Sequence, residues 1–150
     1  MADDVLINKA ATIERCVSRA RQEYGKEPES FANDFTRQDA AILNIQRACA
    51  AALDMGQHLI LRERLGVPQG ARDVFNLLYR GGWIPMEMAE RLKPMVGFRN
   101  IAAHDYQTLQ LPIIVTIITT HLDELLDYAR TILQRKNSLL TSQTEYTKLK

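Results

Sequence analysis

The chain has few cysteines and almost no excess of positive over negative charge. Among its 150 residues there are two cysteines, Cys16 and Cys49, and neither belongs to a CxxC or Cys/His pattern. We therefore expect no disulfide framework and no metal site, and two small buried residues are the simplest interpretation. The net charge is only +1, which argues against a broad basic surface for nucleic acid.

Long hydrophobic runs are also missing. The longest apolar-rich stretch, Leu111 to Thr119, has about half the length that a bilayer-spanning helix needs. The N-terminal residues Met1 to Asp4 lack the basic start and apolar core of a secretory signal. These absences predict a cytoplasmic protein without a membrane partner.

What the chain does contain is helical periodicity. Hydrophobic residues make up 46% and charged residues 25%, enough for one packed domain. Apolar residues recur every three or four positions, which predicts helices over about 3–25, 37–65, 71–79, 85–104 and 113–134, with a break or kink in the fourth segment at Pro94. The expected fold is all-α, a compact bundle of about five helices over residues 1–136, followed by a polar, flexible tail over 137–150. Thr36 followed by Asp39 resembles a capping box for the second helix.

The most informative segment lies at the end of the fourth predicted helix. Within eight residues it gathers a guanidinium, a carboxamide, an imidazole, a carboxylate and a phenol: Arg99-Asn100-Ile101-Ala102-Ala103-His104-Asp105-Tyr106. Arginine offers a planar fork of donors and histidine titrates near neutral pH, so the cluster suits phosphate chemistry.

Helical spacing separates the members of this cluster. Asn100 and His104 stand at i and i+4, whereas Arg99 and His104 are about 140° apart around the helix. Arg99 must therefore join the others through its length, through a distortion of the helix, or across a subunit boundary.

Several other polar or large side chains have competing interpretations. Asp54 and His58 could form an exposed i,i+4 pair on the second helix. Trp83 follows two glycines and could pin a loop or anchor a partner, and His121 is expected on a solvated helix face. The methionines are expected to fill the core: Met86, Met88 and Met95.

The extended pattern G-F-R-N-x3-H-D-Y resembles the signature of the HEPN superfamily, and specifically its HepT-like branch. It consists of Gly97-Phe98 followed by the eight-residue cluster. The turn Gly66-Val67-Pro68 and the run Met88-Ala89-x-x-Leu92-x-x-Met95 are similar to HepT-like proteins as well. The resemblance covers about residues 5 to 135.

HepT-like proteins are helical bundles that form two-fold dimers, in which the motifs meet and build a composite ribonuclease cleft. Many are toxins whose partner is an MntA-like minimal nucleotidyltransferase antitoxin. The resemblance thus implies a homodimeric, metal-independent RNA endonuclease without a cofactor, which leaves a 2′,3′-cyclic phosphate. It assigns catalysis to Arg99 and His104, and AMP transfer by the antitoxin to Tyr106. Accessory roles go to four residues: Asn100, Asp105, Tyr106 and Asp54, the last as a polar residue lining the cleft.

Two alternatives belong to other functional classes. The motif could serve a non-catalytic helical module that docks a nucleotidyltransferase and is modified by it. The chain could also be a pure helical dimerisation domain, but that interpretation leaves the polar motif unexplained.

Overall fold

The computed structural model describes the backbone of residues 3–104 and 111–149, and the side chains of 3–100 and 111–135. This part of the chain is helical: α1 (Asp4–Gly25), α2 (Phe35–Glu63), α3 (Ala71–Arg80), α4 (Met86–His104), α5 (Leu111–Thr116) and α6 (Leu122–Leu149). A 3₁₀ turn, Phe31–Asn33, precedes α2, and a π-helical turn, Ile117–His121, joins α5 to α6. The all-α prediction is confirmed, and α5, the π-helical turn and α6 together take the place of the fifth predicted helix.

The first two helices begin at aspartate caps. Asp3 accepts hydrogen bonds from the backbone nitrogens of Val5 (3.0 Å) and Leu6 (3.3 Å). Asp34 caps α2 in the same way, accepting from the nitrogen of Arg37 at 3.1 Å. The predicted capping box at Thr36 and Asp39 is therefore wrong, because a carboxylate two residues earlier already satisfies the free N–H groups.

Helix α2 is the centre of the bundle, since it packs against α1, α3, α4 and α6. The closest approach is at Gly56, where an added Cβ would meet Val74 Cγ1 at 2.6 Å and Tyr128 Oη at 2.9 Å. Tyr128 is fully buried and donates its phenolic hydrogen to the carbonyl of Ala52 at 2.7 Å. Glycine at position 56 thus lets α3 and α6 reach the backbone of α2.

The last helix is longer than the sequence pattern predicts. It was expected to end near Gln134, but α6 continues to Leu149. Residues 137–149 contain neither proline nor glycine, so nothing in them breaks a helix. Loss of the apolar stripe therefore did not indicate where the helix ends. The flexibility of 137–150 stays a prediction. None of the helices in the described ranges is long and apolar enough to cross a membrane.

Candidate active site

Helix α4 carries the first part of the predicted motif in one continuous helix. Proline was expected to break or kink this segment at Pro94, yet the helix runs from Met86 through Pro94 to His104. Buried side chains on both sides of the proline hold the segment against the bundle: Ala89, Leu92, Met95, Val96 and Phe98. Packing therefore offsets the backbone hydrogen bond that proline cannot make.

Arg99 lies half-buried on the side of α4 that faces α2. Burial raises the pKa of the Cys49 thiol to about 12, and the positive charge of Arg99 opposes that rise. The guanidinium therefore lies on the side of α4 toward Cys49 of α2. Both cysteines are buried, as the sequence predicts.

Asn100 is exposed and lines a groove of about 440 Å³ between the start of α3 and α4. The α3 side of this groove includes Arg72, Asp73 and Asn76. A hydrogen bond from the backbone nitrogen of Gln69 (3.0 Å) lowers the pKa of Asp73, with help from Asn76. That carboxylate is thus already engaged within its own loop and helix.

Arg72 is a residue that the motif search missed. Its guanidinium lies against Gly97, since a Cβ added there would come within 3.2 Å of Arg72 Nη2. Gly97 is two positions before Arg99, so the packing of α3 on α4 brings a second arginine to the motif. A glycine directly ahead of the motif was the sequence signal for this contact, although it did not indicate the partner.

On the other flank of α4 lies an apolar cavity of about 500 Å³. It is formed by Pro94, Phe98 and residues of α5 and the π-helical turn, among them Ile113 and His121. His121 is paired with Glu124 at 3.2 Å. The His121 side chain is 40% exposed, in keeping with the expected solvated face, and it also lines this cavity.

The second helix does not pair Asp54 with His58. Asp54 accepts a hydrogen bond from Lys9 Nζ at 3.2 Å and lines a groove between α1 and α2, whereas His58 Nε2 contacts Asp3 Oδ2 at 2.7 Å. The structure thus places Asp54 with α1, and it does not bring this side chain together with Arg99 and Asn100 on α4. Its accessory role stays a prediction.

Two further expectations concern large side chains. Trp83 is buried, with the guanidiniums of Arg62 and Arg135 at 5.8 and 5.9 Å from its ring, so it pins the turn after α3 and is no exposed anchor. Met86 is 55% exposed and does not fill the core, whereas Met95 is buried.

The remaining motif residues have no described side chain. His104 is the last residue of α4, and its backbone alone is described. Asp105 and Tyr106 lie outside the described residues. Their predicted catalytic, accessory and modification roles therefore stay predictions.

A helical bundle with a polar R-N-x3-H motif at the end of its fourth helix is the architecture that the sequence resemblance implies. The family model described as ribonuclease HepT-like matches residues 13–132. The chain belongs to this family.

Individual relatives agree with that assignment. The mRNA nuclease HepT of Shewanella oneidensis is 47% identical over 122 residues, which cover 81% of this chain and 91% of that protein. A crystal structure of a toxin–antitoxin complex with AMP-PNP matches with a TM-score of 0.83 and 43% identity, covering 88% of this chain and 99% of that one. A tri-AMPylated Shewanella oneidensis HEPN toxin in complex with its MNT antitoxin matches with a TM-score of 0.83 and 44% identity, covering 89% and 99%.

Proposed function

We propose that this chain is the toxin of a toxin–antitoxin pair and that it cleaves RNA in the cytoplasm. The observation that carries the proposal is the 47% identity to an mRNA nuclease over nearly all of that protein's length. The matched family region, residues 13–132, includes the whole R-N-x3-H-D-Y motif. The described part of the site supports it with a half-buried arginine and an exposed carboxamide at the end of α4.

The residue types fit a cleavage without a metal ion. His104 takes the proton from the ribose 2′-OH, and the 2′ oxygen attacks the phosphorus atom. The bond to the 5′ oxygen breaks, leaving a 2′,3′-cyclic phosphate and, once that oxygen is protonated, a 5′-hydroxyl. Arg99 stabilises the negative charge that develops on the phosphorus-bound oxygens. Asn100 orients the imidazole or the phosphate.

A homodimer would bring Arg99 and His104 together although they point to different sides of one helix. In the continuous helix α4 these two positions are about 140° apart. A two-fold axis near the end of α4 would bring two copies of each residue to one scissile phosphate. The composite site is then complete only in the dimer.

Neutralisation is assigned to a nucleotidyltransferase partner. Support comes from the related HEPN toxin, which is tri-AMPylated in its complex with an MNT antitoxin. In this chain the acceptor would be the motif phenol of Tyr106, whose oxygen attacks the α-phosphorus of ATP and releases pyrophosphate. The added group places negative charge where the RNA phosphate binds, so cleavage stops.

Cleavage of cellular RNA by the purified dimer in the presence of a chelator tests the nuclease proposal. We expect wild-type protein to cut mRNA and to leave 2′,3′-cyclic phosphate ends, and His104→Ala to reduce the rate by about 10²–10⁴-fold. His121→Ala is the matched control, because it removes an imidazole outside the motif. Intact RNA after incubation with a folded, dimeric wild-type protein would show that the proposal is wrong.

Intact-mass measurement tests the neutralisation step separately. Incubation with the partner enzyme and ATP should add one or more AMP units to wild-type protein and none to Tyr106→Phe. If RNA is never cut but Tyr106 is modified, the chain is a docking module and not a nuclease.

A further inference from the structure

The exposed side chain of Arg72 lies against the motif helix. Its Nη2 lies where a side chain at position 97 would stand, because a Cβ added to Gly97 would be only 3.2 Å from that nitrogen. Arg72 also lines the 440 Å³ groove together with Asn100. Among the described residues it has no carboxylate partner within ion-pair distance, while the neighbouring Asp73 is held by Gln69 and Asn76. The guanidinium is therefore available to an anion.

The face of α4 beneath Arg72 is the one that leads to the predicted base. Gly97, Asn100 and His104 follow one another at steps of three and four residues, so these positions share one face of the helix. Arg99 is offset from them, toward Cys49 of α2. The two arginines thus approach the motif from different sides.

The distance along the helix decides which phosphate Arg72 can bind. Positions 97 and 104 are seven residues apart, about 10 Å along the axis at 1.5 Å per residue. A general base must lie about 3 Å from the 2′-OH that it deprotonates, and this hydroxyl adjoins the scissile phosphate. A guanidinium held about two turns away is too far to bind that same phosphate.

We propose that Arg72 forms a subsite for a backbone phosphate that flanks the scissile one. The guanidinium fork binds two oxygens of the neighbouring phosphate, in the groove that Arg72 shares with Asn100. A Cβ at position 97 would be 3.2 Å from Arg72 Nη2, so glycine lets the guanidinium lie close to the backbone of α4. The assignment rests on the proposed ribonuclease function and adds a determinant of the minimum substrate length.

Two substrates of different length distinguish binding of a flanking phosphate from a general effect of Arg72 on catalysis. A dinucleoside monophosphate has only the scissile phosphate, whereas a ten-nucleotide single-stranded RNA also has flanking ones. Arg72→Gln should lower kcat/KM for the ten-nucleotide RNA about tenfold and reduce its dependence on log salt by about 0.7, one phosphate contact. Cleavage of the dinucleotide should stay within about twofold of wild type.

Matched variants exclude simpler explanations. Arg130→Gln removes the same charge from an exposed position on α6 that does not line the groove, and it should leave both substrates unaffected. Gly97→Ala would shift the guanidinium only slightly, so it should cause a smaller loss on the long substrate than Arg72→Gln, and combining the two should add little, because both act on one contact. Arg72→Lys keeps the charge without the fork and should recover part of the activity. Helical content is checked by circular dichroism.

Binding gives a readout that does not depend on cleavage. A 2′-O-methyl ten-nucleotide RNA has no free 2′-OH to attack, so its affinity reports the subsite alone, and Arg72→Gln should weaken it about tenfold. Equal losses on both cleavable substrates, or no loss on the long RNA, would overturn the subsite. If wild-type protein cuts neither substrate, the proposed function fails, whatever Arg72 does to binding.

Discussion

Replacing Asp3 by asparagine isolates an ion-pair cluster that ties the start of α1 to α2. The Asp3 carboxylate contacts His58 Nε2 at 2.7 Å and Arg62 Nη1 at 2.8 Å, and its side chain is 13% exposed. Asparagine caps a helix as well as aspartate does. The variant should therefore keep the hydrogen bonds to the first turn of α1 and lose the charge interactions and hydrogen bonds that Oδ2 makes with His58 and Arg62, because an amide nitrogen cannot accept.

The lowered pKa of Asp3 gives the size of the expected change in the free energy of unfolding. Burial raises this pKa, but hydrogen bonds from His58, Arg62 and the backbone of Leu6 outweigh burial and lower it from 3.8 to about 2. A shift of this size corresponds to about 2 kcal/mol. Since His58 and Arg62 are each about one-third exposed, screening by solvent reduces the expected contribution to about 1–2 kcal/mol.

The lowered pKa of Asp3 also determines how this stabilisation depends on pH. The stabilisation is fully present above pH 4 and is lost as the pH falls from about 4 through 2, where the folded protein takes up the proton. At pH 7, Asp3→Asn should lower the free energy of unfolding by about 1–2 kcal/mol, and the difference from wild type should shrink as the pH falls toward 2.

Urea denaturation followed by circular dichroism at one protein concentration measures the effect. Asp34→Asn is the matched control: Asp34 caps α2, and no ion pair of this residue is found in the described part of the chain, so stability should change by less than about 0.5 kcal/mol. A stability difference for Asp3→Asn that is the same at pH 7 and pH 3 would refute the reasoning.

Three further outcomes can be tested on the core. Gly56→Ala should lower the free energy of unfolding by about 1–3 kcal/mol, because the new Cβ overpacks against Val74 and Tyr128. Gly25→Ala is the control: a Cβ added there has nothing within 4 Å, so stability should stay unchanged or rise slightly. Equal shifts in Tm for the two variants would contradict this prediction. Tyr128→Phe alone should cost about 1 kcal/mol of stability by removing the hydrogen bond to Ala52. In the Gly56→Ala background it should partly relieve the overpacking, because the Oη that the new Cβ meets at 2.9 Å is gone. Additive losses in a double-mutant cycle would count against this contact. Cys16 and Cys49 are both buried, so a thiol reagent at pH 8 should label them only after unfolding, all the more for Cys49, whose pKa burial raises to about 12; rapid native labelling would show that they are accessible.

Periodicity was sufficient for the fold class, and the resemblance of the motif to the HepT-like signature was sufficient for the family. Helix positions depend on local patterns of apolar residues, and these predicted the α-helical segments of the described chain to within a few residues, except at the end of α6. Apolar periodicity reports burial, and an unpacked helix can continue without it, so the end of α6 could not be predicted. The cap at Asp34 was missed because several residues near a helix start can serve, and backbone geometry selects among them.

The sequence by itself determined the motif: Arg99, Asn100 and His104 lie on one helix, and their spacing follows from the helical repeat. Tertiary structure alone decided which distant residues join or leave that site. Arg72 reaches α4 because α3 packs across it at Gly97, whereas Asp54 pairs with Lys9 on the α1 side of α2. The physical reason is that local spacing fixes angles within one helix, while contacts between helices depend on how side chains of different size pack together.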